Sequence, residues 1–315
     1  MNTIDRNRRL RVAVLAGGDS AEREISLRSG GAVAQALSAA GHETTAIDPA
    51  GRDLADIDWS PFDACFLALH GGAGEDGRVQ QQLEQLGVPY TGSGPEACRL
   101  AMSKAASKRR FVECGVPTLP WVSIDAHDAL VDACECVAPL GYPLVLKPDA
   151  QGSSLGVAVV ESSASLLDAV DTAGAYDGMV LAEPQVVGRE FTIAVLGERT
   201  LPILEIVSPE RVFSYDAKYV SSQTQYCFDF ELATSLRARL LIAAAGAARA
   251  LGTRGLVRVD LLLGPDERAW VLEVNTTPGM TARSLAPLAA ERAGLPMIAL
   301  CEELLRQSRT MAEVA

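Results

Sequence analysis

The sequence predicts a mixed α/β and α+β chain that opens on a parallel-sheet unit, and three observations predict it. Short apolar runs alternate with amphipathic stretches as far as residue 90, the rhythm of strands joined by covering helices. A Gly/Pro-rich break, "YTGSGPEAC" (90–98), then punctuates the chain. Beyond it, short strands gather around isolated helices instead of alternating with them. With 315 residues, 48% hydrophobic and 22% charged, the chain has material for two or three well-cored domains.

In order, "RVAVLAGG" (11–18) reads as a buried strand entering a Gly turn, and 24–41 as an amphipathic helix. "HETTAIDP" (42–49) and "ACFLALHGG" (64–72) are the second and third strands, with a helix from about Gly77 to Leu86. A helical stretch from Pro95 to Cys114 leads into "PWVSI", "YPLVLKP", "GVAVV" and "GMVLAEPQ" as short strands. "EFTIAVLGE", "TLPILEIV", "GLVRVDLLLG" and "AWVLEVN" are strands of a larger sheet, with a helix over 234–252. The expected division is 1–99, 100–182 and 183–315.

A net charge of −12 disfavours a nucleic-acid surface or an anionic-membrane surface. No apolar run reaches membrane-span length, and "MNTIDRNRRL" leads into no apolar region with a cleavage site. Seven cysteines without a CxxC pair suit free thiols in a reducing cytosol. The expectation is a cytoplasmic protein.

Within "LEVNTTPGM" (272–280), Glu273 and Asn275 interrupt an apolar strand and share one face of it. "GLVRVDLLLGPDERAWVLEVN" reads as a hairpin turning at "PDER". A loop of two or four residues sets Asp260 opposite Glu273 and Arg258 opposite Asn275. Opposed carboxylates destabilise a sheet unless something neutralises them. Mg²⁺ is commonly held by one or two carboxylates plus substrate phosphates. The alternative is a solvated strand face. In "YPLVLKPDAQGSSLGVAVV" (142–160), Lys147 ends an apolar strand before a Gly/Ser loop whose N–H groups can approach an anion. The loop is no Walker A motif, since no GK[ST] follows, and its alternative is a flexible hairpin with a surface lysine.

Taken together, "GGDSAEREISLRSG", "HGGAGEDG", "KPDAQGSSLGV", "AKYVSSQTQY", "LVRVDLLL" and "LEVNTTPGMTARSL" resemble the D-alanine–D-alanine ligases of the ATP-grasp superfamily, in order and from about residue 11 to residue 305. The resemblance implies three domains, with ATP between the central and C-terminal ones. It implies two Mg²⁺ (or Mn²⁺) ions on Asp260, Glu273 and Asn275, and joining of two D-alanines through an acyl phosphate. Lys104, Lys147 and Lys218 match phosphate-contacting lysines. Glu183 and Val186 match the segment that reads adenine through main-chain groups, and Glu190 matches the ribose carboxylate. Arg258 and the Gly279 N–H match groups that stabilise developing charge; the alternative for Arg258 is a salt bridge to Asp260 or Glu273. Ser284 and Leu285 match positions holding the second substrate's carboxylate; the alternative reading of "TARSL" is a helix start with a Ser or Thr cap.

Glu22 matches the carboxylate that receives the first D-alanine's ammonium, with Ser153 and Tyr219 completing its set; its alternative is a capping box with Asp19. His70 matches a substrate-site histidine, where a packing role is the alternative. Two positions depart from the common pattern: Pro184 stands where a lysine is frequent, and Ser103 where an acidic residue is. A homodimer is the expected assembly. The rival readings are a D-alanyl-D-lactate or D-alanyl-D-serine ligase, which the tyrosine of "AKY" disfavours, and an inactive ATP-binding module.

Overall fold

The computed structural model describes residues 9–127, 130–152, 154–208 and 224–312. β1 (Arg11–Leu15), β2 (Glu43–Ile47) and β3 (Ala64–Leu67) make a parallel sheet in the order β2-β1-β3. Parallel neighbours need a crossover, and α1 (Arg23–Ala39) supplies it between β1 and β2. Strand alternation then sorts the core. Val12, Val14 and Phe66 meet Val33 and Leu37 of α1 on one face, while Leu15, Cys65 and Leu67 meet Val79 and Leu83 of α2 (Arg78–Gln85) on the other.

The helix expected over 95–114 is two helices, α3 (Pro95–Met102) and α4 (Lys104–Glu113). Ser103 breaks it: extended at φ −85°, ψ 113°, it accepts the Ala106 N–H (3.1 Å) and donates to Asp149 Oδ2 (2.6 Å). Asp149 Oδ1 accepts the Ala105 N–H (2.7 Å), so the new helix start is capped from two sides.

β4 (Val122–Asp125), α5 (Leu130–Val137), β5 (Leu144–Pro148), β6 (Ala158–Val160), α6 (Leu166–Gly174) and β7 (Met179–Pro184) follow. Their antiparallel sheet runs β4-β7-β5-β6, and its core draws only on residues between Val122 and Ala182. Next come β8 (Arg189–Leu196), β9 (Arg199–Thr200) and β10 (Leu204–Val207). The single strand expected at "TLPILEIV" is thus two short ones, interrupted at Pro202, which has no N–H for a ladder. β11 (Gln225–Cys227), α7 (Thr234–Ala250), β12 (Leu256–Leu263), β13 (Ala269–Asn275), α8 (Leu285–Arg292) and α9 (Met297–Ala312) complete the described chain. The second antiparallel sheet runs β11-β10-β8-β12-β13, with β9 paired to β8.

Two faces of this sheet have different fates. Phe191, Ile193, Val257, Val259 and Val271 pack under α7. On the other, Ala194, Leu196 and Leu256 join α8, α9 and the N-terminal unit in one shared core. Arg258 and Asp260 continue that second face beyond the apolar end.

The hairpin differs from expectation. Gly264 N–H donates to Arg268 O (3.0 Å) around the three residues 265–267, with Glu267 at φ 60°. That is a type of odd loop that ends in a left-handed residue. An odd loop alone would misalign the carboxylates. A register shift between Asp260 and Leu261 leaves Leu272 without a partner and restores the pairing Asp260↔Glu273 and Arg258↔Asn275. No helix among the described residues is long and apolar enough to cross a membrane.

Neighbouring glycines in α1 provide a test of its packing. A Cβ at Gly30 would run into the Ala16 methyl group, whereas one at exposed Gly31 would meet nothing within 4 Å. Gly30→Ala should therefore destabilise by roughly 1–3 kcal/mol through overpacking. Gly31→Ala should stabilise by about 0.5–1 kcal/mol through helix propensity. Urea unfolding of the two variants checks the opposite signs.

Candidate functional site

Three cavities with shared walls lie where the N-terminal unit and the two antiparallel sheets meet. One lies between β5 and the β8-β12-β13 sheet and is lined by Val145, Lys147, Leu155, Glu190, Phe191, Asp260 and Glu273, among others. A second connects Glu22, Lys104, Gln151, Gly152, Arg258, Glu273 and Asn275. The third, about 350 Å³, extends to His70, Gly279, Ser284 and Leu285. A roomier cavity of about 780 Å³ beside α7 contains none of the candidate residues, so size alone does not choose the site.

The carboxylate pair is where the hairpin register puts it. Arg258 grips Asp260 with two bonds, Nε to Oδ1 and Nη2 to Oδ2, both 2.9 Å. This is the salt bridge that the sequence leaves open for Arg258. Thr192 Oγ1, directly across β8, also donates to Asp260 Oδ1 (2.7 Å). Leu272 and Glu273, though consecutive, both line the cavity between the sheets, as a bulge permits. Asn275 Oδ1 accepts the Thr277 N–H (2.9 Å) and keeps a second lone pair. Among the described residues no three His, Cys, Asp or Glu side chains group as a closed metal site. Two carboxylates and an amide instead fit a hard divalent cation that completes its shell with phosphate oxygens and water.

The lysines are buried more deeply than their sequence context suggests. Lys104 is 8% exposed and donates to the Gln151 carbonyl (2.7 Å), which anchors the start of α4 to the loop after β5. Lys147 is ion-paired with buried Glu183, whose other oxygen is paired with Lys108, a fully buried residue. Sequence reasoning missed Lys108. Its signal was the spacing of four from Lys104, which puts both on one helix face.

Burial opposes charge on Lys147, but attraction to Glu183, Glu273 and Glu190 outweighs it and holds the ammonium above the ordinary lysine range. For Lys108 burial prevails over Glu183, with Lys147 repelling it, and the pKa is drawn down. Burial of Glu183 would raise its pKa, yet Lys147 and Lys108 together hold it below the ordinary range.

Glu183 and Val186 span the end of β7. Gln185 N–H donates to Pro143 O (2.9 Å), so antiparallel alternation turns the Glu183 main chain toward Val145, its sheet partner. Its main-chain groups belong to the ladder, and its buried carboxylate meets the site only through the pair with Lys147. Val186 lies just past β7, with a half-buried side chain that faces Gly264.

Asp19 and Glu22 form no capping box. α1 starts at Arg23 with Glu22 itself at the N-cap, without a side-chain cap bond, and Asp19 instead accepts the Gly51 N–H (3.3 Å). Glu22 reaches so close to Gly71 that a Cβ there would lie 2.7 Å from its Oε2; for Gly152 the figure is 3.8 Å.

His70 is buried, and both ring nitrogens are committed to the protein. A carbonyl only accepts, so Nδ1 carries the proton toward Thr277 O (3.0 Å) and Nε2 accepts from the Ser29 hydroxyl (2.9 Å). Ser29 in turn accepts the Met280 N–H (3.2 Å). Ser284 is the N-cap of α8, as the alternative reading of "TARSL" has it. Its hydroxyl turns back to Thr281, leaving the first turn of α8 without a side-chain cap. Ser153, Lys218 and Tyr219 lie outside the described residues.

The N-terminal parallel sheet and the two antiparallel sheets that face one cleft define the ATP-grasp class of fold. Residues 111–306 match the model of the D-ala D-ala ligase C-terminus and residues 48–93 that of its N-terminus. The chain belongs to the D-alanine–D-alanine ligase family. It is 46% identical to a D-alanine–D-alanine ligase of Aromatoleum aromaticum, covering 95% of this chain and 96% of that one. With one of Pseudomonas putida it shares 43% identity, covering 98% and 96%. The crystal structure of a Bacillus anthracis D-alanine–D-alanine ligase complexed with ATP superposes with a TM-score of 0.85 at 30% identity, covering 97% of this chain and 99% of that one.

The buried triad generates a pH-dependent prediction. Glu183 has a lowered folded pKa, so its contribution is complete above the ordinary Glu value and is lost as pH falls through the lower folded value. At pH 7 Glu183→Gln should cost about 3–5 kcal/mol, the scale for breaking a buried ion pair on one side. The difference from wild type should shrink below about pH 4.3, the unperturbed Glu value. Denaturant unfolding over a pH series measures it, and a pH-independent difference would contradict the assignment.

Proposed function

We propose that the chain joins two D-alanines into D-alanyl-D-alanine at the expense of ATP, in the cytoplasm and as a homodimer, for peptidoglycan precursor synthesis. The observation that carries this reading is convergence. Lys104, Lys147, Arg258, Asp260, Glu273 and Glu22, from sequence-remote segments, all line one cleft between three sheets.

The division at residues 99 and 182 then assigns substrate binding to the first unit and ATP to the cleft between the other two. Lys104 and Lys147, with Lys218, neutralise the phosphate chain. Pro184, whose carbonyl remains an acceptor, and Val186 meet adenine beside Glu183, and Glu190 binds ribose. Glu22 receives the first D-alanine's ammonium, joined by Ser153 and Tyr219, while His70 supports that pocket. A carboxylate oxygen of the first D-alanine attacks the γ-phosphorus, giving D-alanyl phosphate and ADP. The second molecule's amine attacks the acyl carbon, and the tetrahedral intermediate expels phosphate. Arg258 and the Gly279 N–H face the charge that develops on the acyl oxygen. Ser284 and the Leu285 N–H, at the uncapped start of α8, hold the second carboxylate. Asp260, Glu273 and Asn275 would hold two Mg²⁺ or Mn²⁺ ions, which when bound neutralise phosphoryl charge.

The test is ADP release by the purified protein with D-alanine, L-alanine or D-lactate. D-alanine-dependent release with D-alanyl-D-alanine as product is expected, and its absence would sink the reading. Arg258→Met should lower turnover by roughly 100-fold, the scale for a preorganised charge-stabilising donor, with ATP affinity changed only a few-fold. Equal losses in both would make Arg258 a ground-state residue.

A further inference from the structure

Lys108 is the buried cation for which the chemistry above has no use. Its ammonium donates to Thr118 Oγ1 (2.7 Å) and Leu119 O (3.1 Å), lies 5.5 Å from the Trp121 ring centre, and pairs with Glu183 Oε1. Lys147 pairs with the remaining oxygen, Glu183 Oε2. Charges taken out of water must be matched, and here they are matched unequally. Two ammoniums share one carboxylate, so the triad itself carries one positive charge, which Glu273 and Glu190 on the wall of the same cavity also attract. Of the two lysines, Lys147 lines the cavity between the sheets, while Lys108 lies behind Glu183.

We propose that Lys108 is a positioning residue for nucleotide binding, occupying one oxygen of Glu183 so that Lys147 meets the phosphate chain with its charge only partly neutralised by that carboxylate. The proposal rests on reading the cleft as an ATP site. Without Lys108, Glu183 and Lys147 form a neutral pair, and Lys147's attraction for a polyanion is largely cancelled. The same residue fixes geometry. Thr118, which it holds, donates to Val271 O (3.0 Å), so the Lys108 ammonium ties α4, β7 and β13 together.

A purely structural strut and a charge-balancing one differ in how they couple to Glu183. The experiment is calorimetric titration of ATP, without D-alanine, into wild type, Lys108→Met, Glu183→Gln and the double variant. Lys108→Met should weaken ATP by roughly tenfold or more, the scale for a lost charged contact, with the KM for D-alanine little changed. The double variant restores one surplus positive charge at Lys147 and should bind ATP within a few-fold of wild type. Its binding no better than Lys108→Met overturns the proposal, as does wild-type affinity in Lys108→Met. If Lys108→Met does not fold, the double variant decides alone: a tenfold loss there overturns the proposal. Wild type that fails to bind ATP sinks the functional reading and this proposal with it. Wild type that binds while the variants are indistinguishable sinks the proposal only.

Discussion

The opposition of Asp260 and Glu273 across β12 and β13 is the constraint around which the cleft is arranged. Two carboxylates about 5 Å apart on facing strands repel by about 3 kcal/mol at an effective dielectric near 20. The fold does not avoid this cost; it spends a bulge to create it, because the odd loop would otherwise have separated the pair. Arg258 and Thr192 offset the charge on the Asp260 side with three hydrogen bonds. Glu273 faces the cavities on both sides. A cation entering there removes a repulsion as well as making bonds, which is why a strained register and a metal reading belong together.

Packing is unequal around that cleft. The N-terminal unit and the second antiparallel sheet share a core through Phe66, Leu256, Leu300 and Leu304. The β4-β7-β5-β6 sheet has a core entirely its own. What joins it to the rest near the site is polar: the Lys104 bond to Gln151 O, the Asp149 cap of α4, and the Glu183 pairs. The cavity between the sheets is about 90 Å³, well under the few hundred Å³ of a ligand pocket. A nucleotide would fit there only with the sheets parted. A unit with its own core can move as a body without opening that core, while its polar attachments can exchange partners.

Much of this was legible in the sequence because it rests on period-2 alternation and local punctuation. The parallel sheet, the helix over α7 and the shared face of Arg258, Asp260, Glu273 and Asn275 all follow from such patterns. Their bounds fell within a few residues. What was not legible depends on long-range partners. Asp149, forty-six residues from Ser103, splits the helix expected over 95–114, and no local signal announces it. The bulge at Leu272 was hidden because a longer even loop predicts the same final pairing. Lys108 drew no reading from the sequence, because its burial rests on Glu183 and Thr118, which lie outside its helix. The family resemblance supplied roles for residues, such as Ser284, that alternation and propensity read only as helix caps.

The rim lined by Gly279, Ser284 and Leu285 shows the same economy of partners. In the loop after β13, the N–H groups of Thr277, Met280 and Thr281 are taken by Asn275, Ser29 and Ser284. Ser29 is held by His70, whose proton faces Thr277 O, so α1, the end of β3 and this loop form one closed hydrogen-bond circuit. The circuit needs His70 as its Nδ1–H tautomer; a proton on Nε2 as well would leave the Ser29 hydroxyl without its acceptor. Gly279 sits where a Cβ would lie 2.7 Å from Ser284 Oγ, so no larger residue fits without displacing the N-cap of α8. The loop is thereby fixed with Gly279, Ser284 and Leu285 lining the cavity, and the positive end of α8 directed at it. The loop that lines this cavity is therefore held by the N-terminal unit, through Ser29 and His70, and by none of the groups that attach the β4-β7-β5-β6 sheet.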